Sequence, residues 1–110
     1  MNKKKQLKKL QNKLDKEWAI RVKILYDNKC AVCGETKMLN AHHIIPREDK
    51  LFRHDTRNGI ALCPKHHKFS FELSPHKNPF MFFRWWGNAY REKCNEVIKM
   101  LYEKTNPKRN

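Results

Sequence analysis

Apolar side chains recur every three or four residues along the start of the 110-residue chain, at Leu7, Leu10, Leu14, Trp18, Val22 and Leu25. That spacing lines one face of a helix. Asp27 and Asn28 can end it, because Asn tolerates the left-handed conformation of a helix stop. The stripe predicts a core or interface face. The basic residues between predict a face that is either solvated or in contact with phosphate.

Further along, Cys30-Ala-Val-Cys33-Gly34 forms a compact turn. Met38 to Ile45 mixes apolar and β-compatible residues and stops at Pro46, which predicts a strand. Residues 46–57 are a polar, charged loop, and Asn58 to Cys63 predicts a second short strand. Pro64 opens a short helix reaching about Glu72, since Pro suits a first helical turn. After the Ser74–Pro79 loop, Asn78 can cap a last helix and Pro79 fits its first turn. That helix is expected to reach about Glu103, with Phe83, Trp86, Tyr90, Cys94, Val97, Ile98 and Leu101 as its buried stripe. No internal repeat interrupts this order. The expected organisation is a single domain: a basic amphipathic helix over 1–29, a core over 30–76, and a C-terminal helix over 77–110 packing on that core.

Composition narrows the function. A chain of this length builds a marginal core, and small domains often need a metal or disulfides to hold. The formal charge is +14, from 25 Lys and Arg against 11 Asp and Glu. A polyanionic partner follows, nucleic acid before an anionic membrane. No window approaches the ~18 apolar residues that would span a bilayer. The charged start is followed by no apolar stretch, which argues against a secretory signal. A cytoplasmic, reducing compartment is therefore expected for Cys30, Cys33, Cys63 and Cys94, and there close Cys pairs bind metal more often than they form disulfides.

Cys30-x2-Cys33 and Cys63-x2-His66 are two bidentate half-sites. A gap of two residues lets both ligands of each half converge on one tetrahedral ion, and four such ligands with no open position describe a structural zinc site. His67 adjoins His66 and is the alternative fourth ligand; the spacing favours His66. Cys94 falls on the apolar stripe of the last helix and reads as a small buried residue.

Between and beside these ligands stand His42-His43-Ile44-Ile45-Pro46 on the first strand, Asn58 opening the second, and His67 on the short helix. In this order, residues 30–71 resemble the HNH endonuclease superfamily: Cys-Ala-Val-Cys-Gly, then Ala-His-His-Ile-Ile-Pro, then Asp-Thr-Arg-Asn-Gly-Ile-Ala-Leu-Cys-Pro-Lys-His-His. The resemblance implies a small α+β ββα-metal (His-Me finger) core, stapled by one structural Zn²⁺ and flanked by N- and C-terminal helices. It implies phosphodiester hydrolysis with a catalytic Mg²⁺, Mn²⁺ or other divalent ion. By position, His43 corresponds to the general base and His42 to a ligand of that ion. Asn58 corresponds to the residue that fixes the loop and the His43 ring, and His67 to the third motif residue, which binds the ion at the scissile phosphate. Neighbours on a regular strand point to opposite faces, so His42 and His43 serve one site only if the strand bends or one acts from the loop side.

The chain departs from the family downstream. Many members carry another His four residues after the third motif residue, where this chain has Phe71. His76 is the next candidate ligand; otherwise it is a loop histidine, and water and phosphate complete the ion's shell. The resemblance further implies nucleic acid as partner, double-stranded DNA first, approached by its minor groove, with phage or mobile-element proteins as further partners. Lys3, Lys4, Lys5, Lys8 and Lys9 form a candidate phosphate-tracking arm, and Arg53 and Arg57 in the central loop are candidate phosphate contacts. Phe80, Phe82, Trp85 and Trp86 are expected in the core rather than stacked on bases. Two other classes compete: a non-catalytic zinc module that binds nucleic acid, which needs neither His43 nor Asn58, and a thiol redox protein using Cys30 and Cys33, which leaves the histidines unexplained.

Overall fold

A computed structural model of the chain describes residues 2–106. Met1 and residues 107–110, the outer ends of the expected first and last segments, lie outside the described residues. The architecture is small α+β, a two-stranded antiparallel sheet flanked by helices. Helix α1 spans Lys3–Leu25 and is capped by Asn2, whose Oδ1 accepts the Lys5 N–H at 2.8 Å. It stops where expected. Asp27 and Asn28 both take positive φ, 57° and 54°, and the Asn28 N–H donates back to the Lys23 carbonyl at 2.8 Å.

Only the second half of the α1 stripe enters the core. Trp18 and Val22 are buried, whereas Leu7, Leu10, Leu14 and Leu25 stand exposed. The buried part packs on the chain at Gly59. A Cβ there would lie 2.5 Å from Val22 Cγ2 and 2.8 Å from Trp18 Cζ2. Glycine at this position serves a close approach of helix to backbone.

Strand β1 (Asn40–His42) pairs antiparallel with β2 (Ile60–Leu62), with Ala41 opposite Ala61 and His42 opposite Ile60. The first strand is shorter than the pattern from Met38 to Ile45 suggests. Met38 has φ 55° and is exposed. Beyond His42, the Ile45 backbone is taken by a side chain: its N–H donates to Asn58 Oδ1 and its carbonyl accepts from Asn58 Nδ2. Those groups are then not available to a strand partner.

The short helix is also cut back, to a single wide π-type turn, Lys65–Phe69, closed by the Ser70 N–H donating to the Lys65 carbonyl at 2.7 Å. The expected single C-terminal helix is two, α2 (Pro79–Ala89) and α3 (Arg91–Thr105), broken at Tyr90 (φ −124°, ψ 54°). The Tyr90 hydroxyl donates to the Ala31 carbonyl at 2.6 Å, so the break is tied to the cysteine turn. This break changes which residues are buried. Phe82 and Trp86 of α2 and Val97 and Met100 of α3 enter the core, and Ile98 faces out. Trp86 Nε1 donates to the Tyr26 hydroxyl at 3.0 Å, so the end of α1 is bonded to α2 through a buried polar pair. Phe80 is exposed and Trp85 half-buried. Among the described residues no helix is long and apolar enough to cross a membrane.

Candidate active site and metal centres

Cys30, Cys33, Cys63 and His66 converge. Cys33 Sγ and Cys63 Sγ lie 3.8 Å apart, Cys63 Sγ and His66 Nδ1 3.4 Å, and Cys30 Sγ and His66 Nδ1 3.8 Å. A tetrahedron built on Zn–S of ~2.3 Å and Zn–N of ~2.0–2.1 Å has edges of ~3.8 Å between sulfurs and ~3.6 Å between sulfur and nitrogen. The donor set and its spacing fit a zinc ion. The turn that presents the first two ligands is set by Gly34 (φ 80°), whose N–H donates to the Cys30 carbonyl, and is anchored to β2 by Ala31 N–H donating to the Ala61 carbonyl. Burial opposes ionisation of Cys30, but backbone groups of Cys63, Cys33 and Val32 outweigh it and lower its pKa. Burial pushes the Cys63 thiol up.

His67 turns away from this cluster into another. Its Nε2 lies 3.3 Å from His42 Nδ1 and 3.1 Å from His76 Nε2, and all three ring nitrogens fall within 4.8 Å of one another. Nitrogens sharing one ion at ~2.1 Å are separated by ~3.0–3.4 Å for octahedral to tetrahedral angles, so this set also fits a divalent ion. Burial first, then the neighbouring histidines, lower His42 to about 3. Burial, His76 and Lys68 lower His67 to about 4. Neutral imidazole is the form that ligates metal.

His76 reaches the cluster because of Ser74. The fully buried Ser74 hydroxyl donates to the His67 carbonyl at 2.7 Å, and the Ser74 carbonyl accepts the Asn78 N–H at 2.8 Å. Phe71, at the position where the family pattern would place a ligand, is exposed.

His43 follows β1 and diverges from His42, yet both line one cleft with His67 and His76, joined there by Arg47 and Lys68. The His43 Nε2 lies 2.9 Å from the Arg53 carbonyl. A carbonyl only accepts, so the ring proton sits on Nε2, and in the neutral ring Nδ1 carries the lone pair. Burial lowers the His43 pKa and the bond to the Arg53 carbonyl partly restores it.

Residues 30–70 match a family model described as HNH endonuclease. Over this segment the chain is similar to HNH endonucleases. Comparisons with curated proteins and with solved structures return no match. That similarity points to nucleic acid as the class of substrate.

Within the matched segment, Asn58 is fully buried and holds the loop between the strands. Besides its two bonds to Ile45, its Nδ2 donates to the Phe52 carbonyl at 3.1 Å. These bonds all go to backbone and hold the loop beside His43, as the resemblance implied; the bond to the His43 ring that it also implied is not among them. The candidate phosphate contacts divide. Lys3, Lys4 and Lys5 are exposed on the first turns of α1. Arg53 instead makes a two-point contact with Asp15, and Arg57 pairs with Asp55 at 2.8 Å and Glu103 at 3.2 Å. Both guanidinium groups are committed within the protein. Three residues of the site had no sequence signal as such: Ser74 behind His76, Asp15 on Arg53, and Trp18 on His43. Trp18 was legible only as a member of an apolar stripe.

Proposed function

We propose that the chain is a metal-dependent endonuclease that hydrolyses phosphodiester bonds in double-stranded DNA. The observation that carries this is one cleft holding three convergent imidazoles beside a fourth, His43, whose unprotonated nitrogen is left free by its bond to the Arg53 carbonyl. In this reading His42, His67 and His76 hold the divalent ion. Such an ion supplies positive charge at the phosphate and its leaving oxygen. His43 takes a proton from the attacking water at Nδ1, and Asn58 keeps the loop that carries the Arg53 carbonyl in place. Three imidazole donors favour Mn²⁺, Ni²⁺ or Zn²⁺ over Mg²⁺, which prefers oxygen. The cysteine cluster carries structural Zn²⁺, in a reducing compartment such as the cytoplasm. Lys3, Lys4 and Lys5 lie on a helix with few acids and track the DNA backbone, so binding weakens steeply with salt.

Plasmid cleavage tests this, with purified protein in Mg²⁺, Mn²⁺, Ni²⁺ or EDTA beside His43→Ala. The parent nicks or linearises plasmid with a divalent ion and not with EDTA. His43→Ala cuts ~10²–10⁴-fold more slowly, the range for losing a general base, with its zinc intact. Plasmid that is retarded but uncut under every ion rejects the nuclease in favour of a zinc module that only binds.

A further inference from the structure

We propose that α1, which lies outside the HNH-matched segment, completes the apparatus of the general base: Asp15 and Trp18 are positioning residues that fix the orientation and tautomer of His43. The catalytic meaning of this rests on the nuclease reading above.

Asp15 and Trp18 are three residues apart and so share one face of α1. The Trp18 indole lies flat on the His43 imidazole, with centroids 3.8 Å apart and planes 5° from parallel. The indole is itself immobilised. It is buried, its Nε1 donates to the Asp55 carbonyl at 2.9 Å, and it packs against the backbone at Gly59. This platform fixes the plane of the His43 ring but still permits a 180° flip about the Cβ–Cγ bond and leaves the proton free to sit on either nitrogen. The Arg53 carbonyl removes that freedom by accepting from Nε2.

That carbonyl belongs to a residue whose side chain Asp15 clamps. Arg53 Nε donates to Asp15 Oδ1 at 2.9 Å and Nη2 to Oδ2 at 2.8 Å. His54 Nε2 reaches the same carboxylate at 2.7 Å. A planar, two-point Arg–carboxylate contact sets direction as well as distance. Both partners are partly shielded from solvent, and the Arg53 contact holds the Asp15 carboxyl down to about 2. One helix face thus delivers the platform under the ring and the clamp on the residue that receives its proton.

The test uses the zinc-loaded full chain with ¹⁵N-labelled histidine, at a pH where the rings are neutral. Long-range ¹H–¹⁵N spectra read the His43 tautomer, assigned by the signals missing in His43→Ala. The parent shows the Nε2–H form. Asp15→Asn moves His43 toward a mixture of tautomers while zinc content is kept. Trp18→Phe, which preserves a flat ring but not the bond to Asp55, retains more of the parent tautomer and rate than Trp18→Leu, which fills space without stacking. In DNA cleavage Asp15→Asn lowers kcat by ~10–100-fold, the scale of a misplaced catalytic group, with KM changed less than about twofold. An unchanged tautomer in Asp15→Asn overturns the proposal, as does a Trp18→Leu protein that is folded and fully active. A parent that shows the expected tautomer shifts but never cuts DNA upholds the clamp and removes the nuclease reading.

Discussion

His66 and His67 are neighbours in the chain and belong to different clusters. His66 faces three cysteines and is 8% exposed. His67 faces His42 and His76 at a cleft. The difference begins in the backbone: the wide π-type turn over Lys65–Phe69 carries both residues, and their rings enter different clusters. It continues in the donors. Thiolates and one imidazole with no vacant position make a site that resists exchange and holds structure. Three imidazoles leave positions for water and phosphate, which is what hydrolysis requires. One turn after β2 thus places adjacent residues in two clusters, which on the proposed reading anchors the fold with one and serves the reaction with the other.

The strongest way to break this contrast is to open the closed cluster. Cys30→Ser loses its zinc and its cooperative melting transition, because structural zinc of this kind contributes ~10–16 kcal/mol at neutral pH. Metal analysis and thermal denaturation measure it. A stable, zinc-free variant that still cuts DNA would make the two clusters alike and sink the structural role. The gentler counterpart acts on the open cluster through Ser74. Ser74→Ala frees the loop that brings His76 to His67 and weakens ion binding or cleavage by ~10–100-fold, the usual cost of losing a group that orients a ligand. Titrating cleavage against Mn²⁺ reads this as a rightward shift, with zinc content unchanged. An unshifted titration would take His76 out of the ligand set.

How much of this was legible follows from the range of each interaction. The two half-sites of the knuckle were readable because each is local, a gap of two residues between ligands. The same spacing favoured His66 over the adjacent His67 as fourth ligand, and His66 is the one in the cluster; the second cluster that His67 joins was not readable that way, because the π-type turn breaks the 3.6-residue period. Strand alternation posed the question of how His42 and His43 could serve one site, and β1 ends at His42, so alternation does not extend to His43. That both line one cleft was not legible, because the chain leaves β1 at His42 and Asn58 captures Ile45 from 13 residues away. The break at Tyr90 depends on a hydroxyl bonded to Ala31, 59 residues earlier, and no helical periodicity encodes such a partner. The α1 stripe was read as helical and as a core or interface face, and only part of it is core. Leu7, Leu10 and Leu14 keep the period but stand exposed, whereas Trp18 and Val22 meet Gly59.

The smallest effect separates the open cluster from the ion pairs around it by their acid responses. Burial and mutual repulsion lower His42 to about 3 and His67 to about 4, against an ordinary 6.5. With no divalent ion added, the unfolded chain therefore binds more protons than the folded one below that ordinary value. Stability is full above about 6.5 and declines as pH falls toward 4 and then 3. Asp15 and Asp55 act lower. Arg53 holds Asp15, and Arg57 outweighs burial at Asp55, so both carboxyls sit at about 2 against an ordinary 3.8. Their contribution is present above 3.8 and is lost as pH falls through about 2. Urea midpoints measured from pH 8 downward should thus begin to fall near 6.5, before any carboxylate titrates. In His42→Gln that first decline becomes shallower, while the steeper loss below about 4 persists because the carboxylate pairs remain. A parent profile that stays level down to pH 4, or one that His42→Gln leaves unchanged, would show that the open cluster costs the fold nothing in acid. The contrast with the closed cluster would then lie in donor chemistry alone.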